Sequence, residues 1–341
     1  MPSASAQIFD GPGHPLRPER MPLPDALAPG EVLVSIDLAT ICGSDLHTLS
    51  GLRQEPTPLV LGHEAVGHVI AAERPGLQSG DRVSWSIADS CGKCSACTEH
   101  RLPEKCDILF KYGHADINNG SGLNGCYATH LLLRQGTHIA QVDDRLSDAL
   151  VAPANCVLAT AVNAISTLPT PCDKVLVQGA GLLGLYTCAL LAERGVSEVY
   201  CADIDAARLA RASEFGAIPT GAHQPTNLDA VFEVAGVSAL IPPGIAALRP
   251  GGHYIFVGMV HPDTQLTLTG EQIIRKCVTI RGVHNYSPHH LDEALAFLTR
   301  TVDRYPYLSL VSEPLPLAEL DRAIALAETR QHFRVSINPN L

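Results

Sequence analysis

Alternating apolar and polar positions dominate the first part of the chain. The run Glu31-Val-Leu-Val-Ser-Ile-Asp37 alternates in this way, and similar short runs sit among many prolines and glycines up to about residue 150. This texture predicts strands of an irregular, mostly antiparallel β domain. From about residue 155 the pattern changes to apolar runs of two lengths. Residues 174–178, 198–202, 230–234 and 253–257 read as buried strands, and residues 182–194 and 206–215 as helices between them. Strands alternating with helices predict an α/β fold with a parallel sheet and right-handed crossovers. After about residue 286 come two helical patterns, 288–299 and 317–329, and a last strand, 333–337. The expected organisation is a catalytic β domain over 1–152, a doubly wound parallel sheet (Rossmann) domain over 153–285, and a return to the first domain over 286–341.

A chain of 341 residues is long enough for two cores. The net charge of −11, without a Lys/Arg run, argues against a nucleic-acid or anionic membrane partner. The longest apolar stretch, 175–192, is broken by three glycines, Gln178 and Tyr186, so it reads as strand and helix rather than a membrane span. Residues 1–15 lack the basic and apolar regions of a signal peptide, and the cytoplasm is the expected compartment. Eleven cysteines in that compartment need a reason other than disulfides. Cys126, Cys172, Cys188, Cys201 and Cys277 lie in apolar or strand-like runs and read as small hydrophobes.

Gly179-Ala-Gly181-Leu182-Leu183-Gly184 follows a predicted strand and opens a predicted helix, and Asp203 ends the next strand. In that setting the glycines have separate jobs. Gly179 allows the tight turn, Gly181 lets backbone approach a pyrophosphate, and Gly184 lets helix pack on strand. The helix N-terminus offers N–H groups to phosphate. Asp203 would accept hydrogen bonds from ribose hydroxyls and repel a 2′-phosphate, which favours NAD over NADP. Arg208 pulls the other way, since it could help hold that phosphate. Thr160, Leu182 and Leu183 are grouped with the cofactor contacts.

Two further segments carry zinc-type ligands: Cys42-Gly-Ser44-Asp45-Leu-His47 and Gly62-His63-Glu64. Cys42 alone reads as a small buried residue and His63 alone as a core histidine. Together, with Cys156 at the expected domain junction, they read as three ligands of a site that keeps one position open. Cys91, Cys94, Cys97 and Cys106 read as a closed, structural Cys₄ zinc site, in a lobe around 88–110. His100 is a remote substitute for Cys106, and redox use of these thiols is the rival.

The order of these motifs resembles the zinc-containing medium-chain alcohol dehydrogenases over essentially the whole chain. The resemblance implies that the first domain is GroES-like and that the protein moves hydride between an alcohol and NAD, with two zinc ions per chain. It casts Cys42, His63 and Cys156 as catalytic ligands, and Glu64 as an acidic residue able to take the open position. Asp45 would orient His63, and Ser44 and His47 would relay the alcohol's proton. Eight residues separate Cys97 from Cys106, one more than is usual in the family.

Finer features, including Gly51-Leu-Arg53, Leu102-Pro-Glu-Lys-Cys106, Lys111-Tyr-Gly-His114 and Ala152-Pro-Ala-Asn-Cys156, resemble the branch associated with phosphonate metabolism. That implies a short hydroxyalkylphosphonate and its aldehyde as the substrate pair, with Arg53, Lys111, His114 and His284 as candidates to hold the anion. Polyols and simple alcohols are the alternative, and a non-catalytic NAD-binding sensor is the reading from another class. The family also implies a homodimer or tetramer, for which residues 277–282 are a candidate sheet edge.

Overall fold

The computed structural model describes residues 2–221, 224–260 and 264–341. It divides into two compact units: Met1–Cys156 with Ser287–Val302 and Tyr307–Leu341, and Val157–Tyr286 with Asp303–Pro306. The division after Cys156 lies inside a continuous helical run, Asp148–Ser166, so no change of composition marks it. That run is 19 residues long and apolar enough to suit a membrane by composition, yet 72 % of it is buried, as expected of a core helix.

The first unit is built on antiparallel pairing. Val32–Thr40 is its central strand, flanked by Glu64–Ala72 and by the short closing strand Ser336–Asn338. Thr40 lies opposite Glu64 on one side and Ser336 on the other. This register carries the end of the chain to the segment containing Glu64. Three aromatic residues, Trp85, Tyr112 and Tyr127, are fully buried in this core.

The second unit is a six-stranded parallel sheet. Its order is Ile218–Pro219, Glu198–Ala202, Lys174–Gln178, Leu228–Glu233, Leu248–Phe256, Thr279–Gly282. In chain order this is 3-2-1-4-5-6, the doubly wound dinucleotide-binding arrangement, with its switch point between Lys174–Gln178 and Leu228–Glu233. The expected α/β class and the mostly β first domain are both present.

Several elements differ in detail from the sequence pattern. The helix expected over 206–215 is α-helical only over Ala206–Arg211. It tightens to a 3₁₀ turn at Ala212–Phe215 before the left-handed Gly216 ends it. The last strand is shorter than 333–337, because Phe333 and Arg334 precede the paired residues Ser336–Asn338. Cys277 is exposed, in a left-handed turn that ends the helix Gly270–Lys276, and is not the buried hydrophobe expected.

Candidate functional site

The ligand atoms of Cys42, His63, Glu64 and Cys156 lie within 4.8 Å of one another. Donors around one tetrahedral zinc stand about 3.3–3.8 Å apart, given Zn–S of about 2.3 Å and Zn–N of about 2.0 Å. The cluster therefore fits such an ion, although its members come from three distant segments.

Each member is placed by its own local structure. Cys42 caps the helix Gly43–Leu49, and its backbone N–H donates to Asp45 Oδ2 at 2.9 Å. Tyr127 Oη donates to the same oxygen at 2.9 Å, and Asp45 is fully buried. Asp45 Oδ1 faces His63 Nδ1 at 3.3 Å, which turns Nε2 toward the cluster. Ser44 Oγ is 3.4 Å from that Nε2. A carboxylate behind a histidine, on the side away from the metal, is the usual device for orienting a ligand. His47 is half-buried in the last turn of the helix. Asn155, beside Cys156, donates to the backbone carbonyls of His63 and Trp85 at 3.1 and 3.0 Å, tying the third segment to the second.

Gly62, before His63, has φ +88°, and a Cβ there would lie 2.7 Å from the Tyr127 ring. Glycine thus lets the ligand loop and the aromatic ring that holds Asp45 share the same space.

Glu64 is held by Arg334, a residue to which the sequence assigned no role. Arg334 Nε and Nη2 donate to the two carboxylate oxygens at 2.8 and 2.9 Å, and Thr40 Oγ1 donates at 2.6 Å. Arg334 Nη2 also lies 3.6 Å from Cys42 Sγ. The charges answer this crowding. The Cys42 thiol is lowered well below its usual range by a hydrogen bond from Cys156 and, against its burial, by Arg334. Burial lifts Glu64 to about 7 in spite of Arg334. For His63, burial is outweighed by the charge of Asp45, and its affinity for a proton rises. A compact set of thiols, imidazole and carboxylate under these opposing pressures is what a divalent cation resolves.

Of the four residues proposed to hold an anion, three gather beside His63. The His114 ring centroid is 5.2 Å from that of His63. Glu55, which the sequence reading missed, binds His114 Nδ1 at 3.0 Å and Arg53 Nε at 2.7 Å. Burial pushes the His114 imidazole down to about 4, so it is neutral at pH 7. Burial and the neighbouring Arg53 lower the Lys111 amine to about 8. His284 is exposed and belongs to the second unit.

The four lobe cysteines also lie within 4.8 Å of one another, while His100 is exposed and outside the cluster. Cys94 Sγ is 3.5 Å from Cys97 Sγ and 3.9 Å from Cys106 Sγ. Backbone N–H groups point at the sulfurs: Cys94 N–H at Cys91 Sγ, 3.3 Å, and Cys91 N–H at Cys106 Sγ, 3.2 Å. The backbone donors of Lys93 and Cys94 lower the Cys91 thiol to about 6.

In the second unit, Gly179 turns at φ +121° and Gly181 caps the helix Leu182–Glu193. A Cβ on Gly184 would lie 1.8 Å from the Gly179 carbonyl, whereas one on Gly181 would meet nothing within 4 Å. The first is close helix–strand packing, and the second leaves room for a phosphate. Asp203 Oδ2 accepts the Ala180 N–H at 2.6 Å, which sets this carboxylate beside the turn. Arg208 Nε lies 3.9 Å from Asp205. Leu182 is buried and Leu183 half-buried in the helix, and Thr160 is half-buried in the helix Ala159–Ser166.

Comparison with known proteins shows the family. Residues 28–144 match the alcohol dehydrogenase GroES-like domain and residues 183–300 the zinc-binding dehydrogenase domain. The chain is 28% identical to D-altritol 5-dehydrogenase of Agrobacterium fabrum, over 88% of this chain and 89% of the relative. It is 27% identical to 5-exo-hydroxycamphor dehydrogenase of Pseudomonas putida, over 92% and 93%. An alcohol dehydrogenase structure from Thermotoga maritima superposes with a TM-score of 0.91 at 28% identity, covering 99% of this chain and 100% of that one. The chain belongs to the zinc-dependent medium-chain alcohol dehydrogenase family. It is an oxidoreductase that uses zinc and a nicotinamide dinucleotide to interconvert a small alcohol and its carbonyl product.

Proposed function

We propose that this dehydrogenase acts on an alcohol bearing further polar groups, a polyol in the best-supported reading, with NAD as acceptor. The observation that carries the proposal is the polar company of His63. His114 stands near it, Glu55 ties His114 to Arg53, and Lys111 lies near that pair, a set that suits a substrate with further hydroxyls better than an apolar one.

Cys42, His63 and Cys156 would hold zinc, with Glu64 beside them, and the ion would lower the pKa of the alcohol oxygen. Asp45 fixes the His63 ring through Nδ1. Ser44 Oγ, within reach of the cluster, takes the hydroxyl proton, and His47 passes it to solvent. Bound NAD would supply the hydride acceptor. Gly179, Gly181 and Gly184, with Leu182, Leu183 and Thr160, shape its binding site. Asp203 would receive the ribose hydroxyls and disfavour a 2′-phosphate. Arg208 leans toward Asp205, which supports NAD over NADP. Cys91, Cys94, Cys97 and Cys106 would close around a second, structural zinc.

A hydroxyalkylphosphonate is the second reading, and Lys111 favours it. A doubly charged group needs several cationic or N–H partners. Of the candidates gathered there, Arg53 is paired with Glu55 and His114 is neutral at pH 7, so Lys111 is the one whose charge supports this reading. Among the described residues Thr279–Gly282 is the outer strand of the parallel sheet, and that edge supports pairing of two copies there. Cytoplasmic location fits thiol clusters of this density.

NADH formation over a panel of polyols, simple alcohols and 2-hydroxyethylphosphonate tests the assignment. Polyols should give the highest kcat/KM. A flat response to every alcohol, with two zinc ions bound, would overturn it.

A further inference from the structure

His114 and Glu55 form a pair that the reaction described above does not use. Glu55 Oε1 receives both Arg53 Nε and His114 Nδ1. A carboxylate only accepts, so Nδ1 of His114 must carry the hydrogen and Nε2 keeps its lone pair. His114 is 9% exposed, and its burial, with Arg53 nearby, disfavours a second proton on the ring. Among the described residues Nε2 has no hydrogen-bond partner, and it is not among the buried polar atoms sealed from solvent.

The loop bearing His114 is fixed against the metal cluster. Gly113 has φ +74°, and a Cβ there would lie 2.5 Å from the carbonyl oxygen of Gly62, the residue before His63. The Gly113 N–H donates to the Asn124 carbonyl at 2.7 Å. Backbone thus lies on backbone, and the two imidazoles stand 5.2 Å apart by ring centroid. The result is an oriented acceptor, without a partner among the described residues, on a ring whose centroid is 5.2 Å from that of His63.

We infer that His114, held in one tautomer by Glu55, is a specificity-determining residue that accepts a hydrogen bond from a second hydroxyl on the carbon next to the one oxidised. This rests on the polyol reading of the preceding subsection and adds the group that reads the substrate. A neutral acceptor beside the cluster distinguishes a 1,2-diol from a primary alcohol of the same length. The mono-alcohol offers Nε2 no partner, so only the diol gains that hydrogen bond.

The test compares 1,2-propanediol with 1-propanol in the wild type and in His114→Phe and Glu55→Leu. Phe keeps a ring against His63 but has no acceptor. Leu releases the tautomer while the histidine stays. Zinc content by metal analysis and NADH binding by fluorescence should stay at wild-type values in both. The diol's kcat/KM should fall about 10-fold in each variant, mostly through KM, in line with one lost hydrogen bond. That of 1-propanol should change less than 2-fold. Glu55→Gln, which can still accept from Nδ1, should restore most of the diol preference. Equal losses for both alcohols would make His114 a mere support for His63 and overturn the inference. A wild type without any preference for the diol would overturn the polyol reading itself. A preference that survives in His114→Phe would overturn only the role given to His114.

Discussion

Two clusters of sulfur ligands, both within the first unit, are built in opposite ways. In the lobe, four cysteines from residues 91–106 converge with backbone N–H groups as their main company. At the other cluster the candidate ligands come from residues 42, 63, 64 and 156, and charged and polar side chains back them: Asp45 behind His63, Arg334 and Thr40 on Glu64. The lobe offers four thiolates, a closed coordination shell for zinc. The other offers two thiolates and an imidazole, with a carboxylate already claimed by an arginine, which leaves a position for substrate. In the roles proposed for them, local spacing makes the structural site and long-range packing the reactive one.

Breaking the reactive cluster should have the largest effect. His63→Ala should leave one zinc per chain instead of two and lower kcat/KM by at least about 10³-fold, since a Lewis acid supplies several kcal/mol. Metal analysis beside steady-state kinetics would show whether metal and activity go together. If activity survived at one zinc per chain, the contrast drawn here would be wrong.

The lobe should fail differently. Cys94→Ser should also remove one zinc, but the loss should register in stability, with Tm falling on the order of 10 °C for a few kcal/mol in a unit of this size. Enzyme that remains folded should keep its KM for alcohol. Differential scanning calorimetry with and without a chelator separates the two clusters, because only the lobe variant should lose Tm without first losing KM.

Asp45→Asn sharpens the comparison, since it touches no ligand atom. An amide in place of the carboxylate keeps the contacts with the Cys42 N–H and Tyr127 but loses the charge facing His63 Nδ1. Zinc affinity or activity should fall about 10- to 100-fold, the range found when such partners are removed. No equivalent substitution exists in the lobe, where backbone groups do the supporting.

The same contrast explains what the sequence could disclose. The lobe's two-residue gaps were visible because its ligands are neighbours in the chain. The glycine turn and Asp203 were visible because a phosphate site must follow a strand and open a helix. Arg334 was not, because its partner Glu64 lies 270 residues away and only the antiparallel register around Thr40 joins them. An arginine between apolar residues near a closing strand is a signal that a buried partner exists, but not which one. Glu55 was overlooked for a related reason, since a carboxylate in a proline-rich loop reads as solvated until the fold sets Arg53 and His114 against it. Cys277 failed in the other direction: strand-like neighbours suggested burial, and the helix end turned it to solvent.

The smallest effect concerns the lysines around the two clusters. Lys93, in the lobe, is exposed, whereas burial and Arg53 lower Lys111 to about 8. Lys111 is therefore a cation below about pH 8 and becomes neutral above it. An alcohol carrying an anionic group, such as 2-hydroxyethylphosphonate, should show a flat KM from pH 7 up to about 8. Above that, KM should rise as the cation is lost, by a few-fold at pH 9, while the KM of a neutral polyol stays level across the same range. Lys111→Met should give the anionic alcohol the high KM at every pH and leave the polyol unchanged, and Lys93→Met should alter neither. If the rise at high pH persisted in Lys111→Met, the titrating group would lie elsewhere, and the phosphonate reading would lose the one cation that favours it.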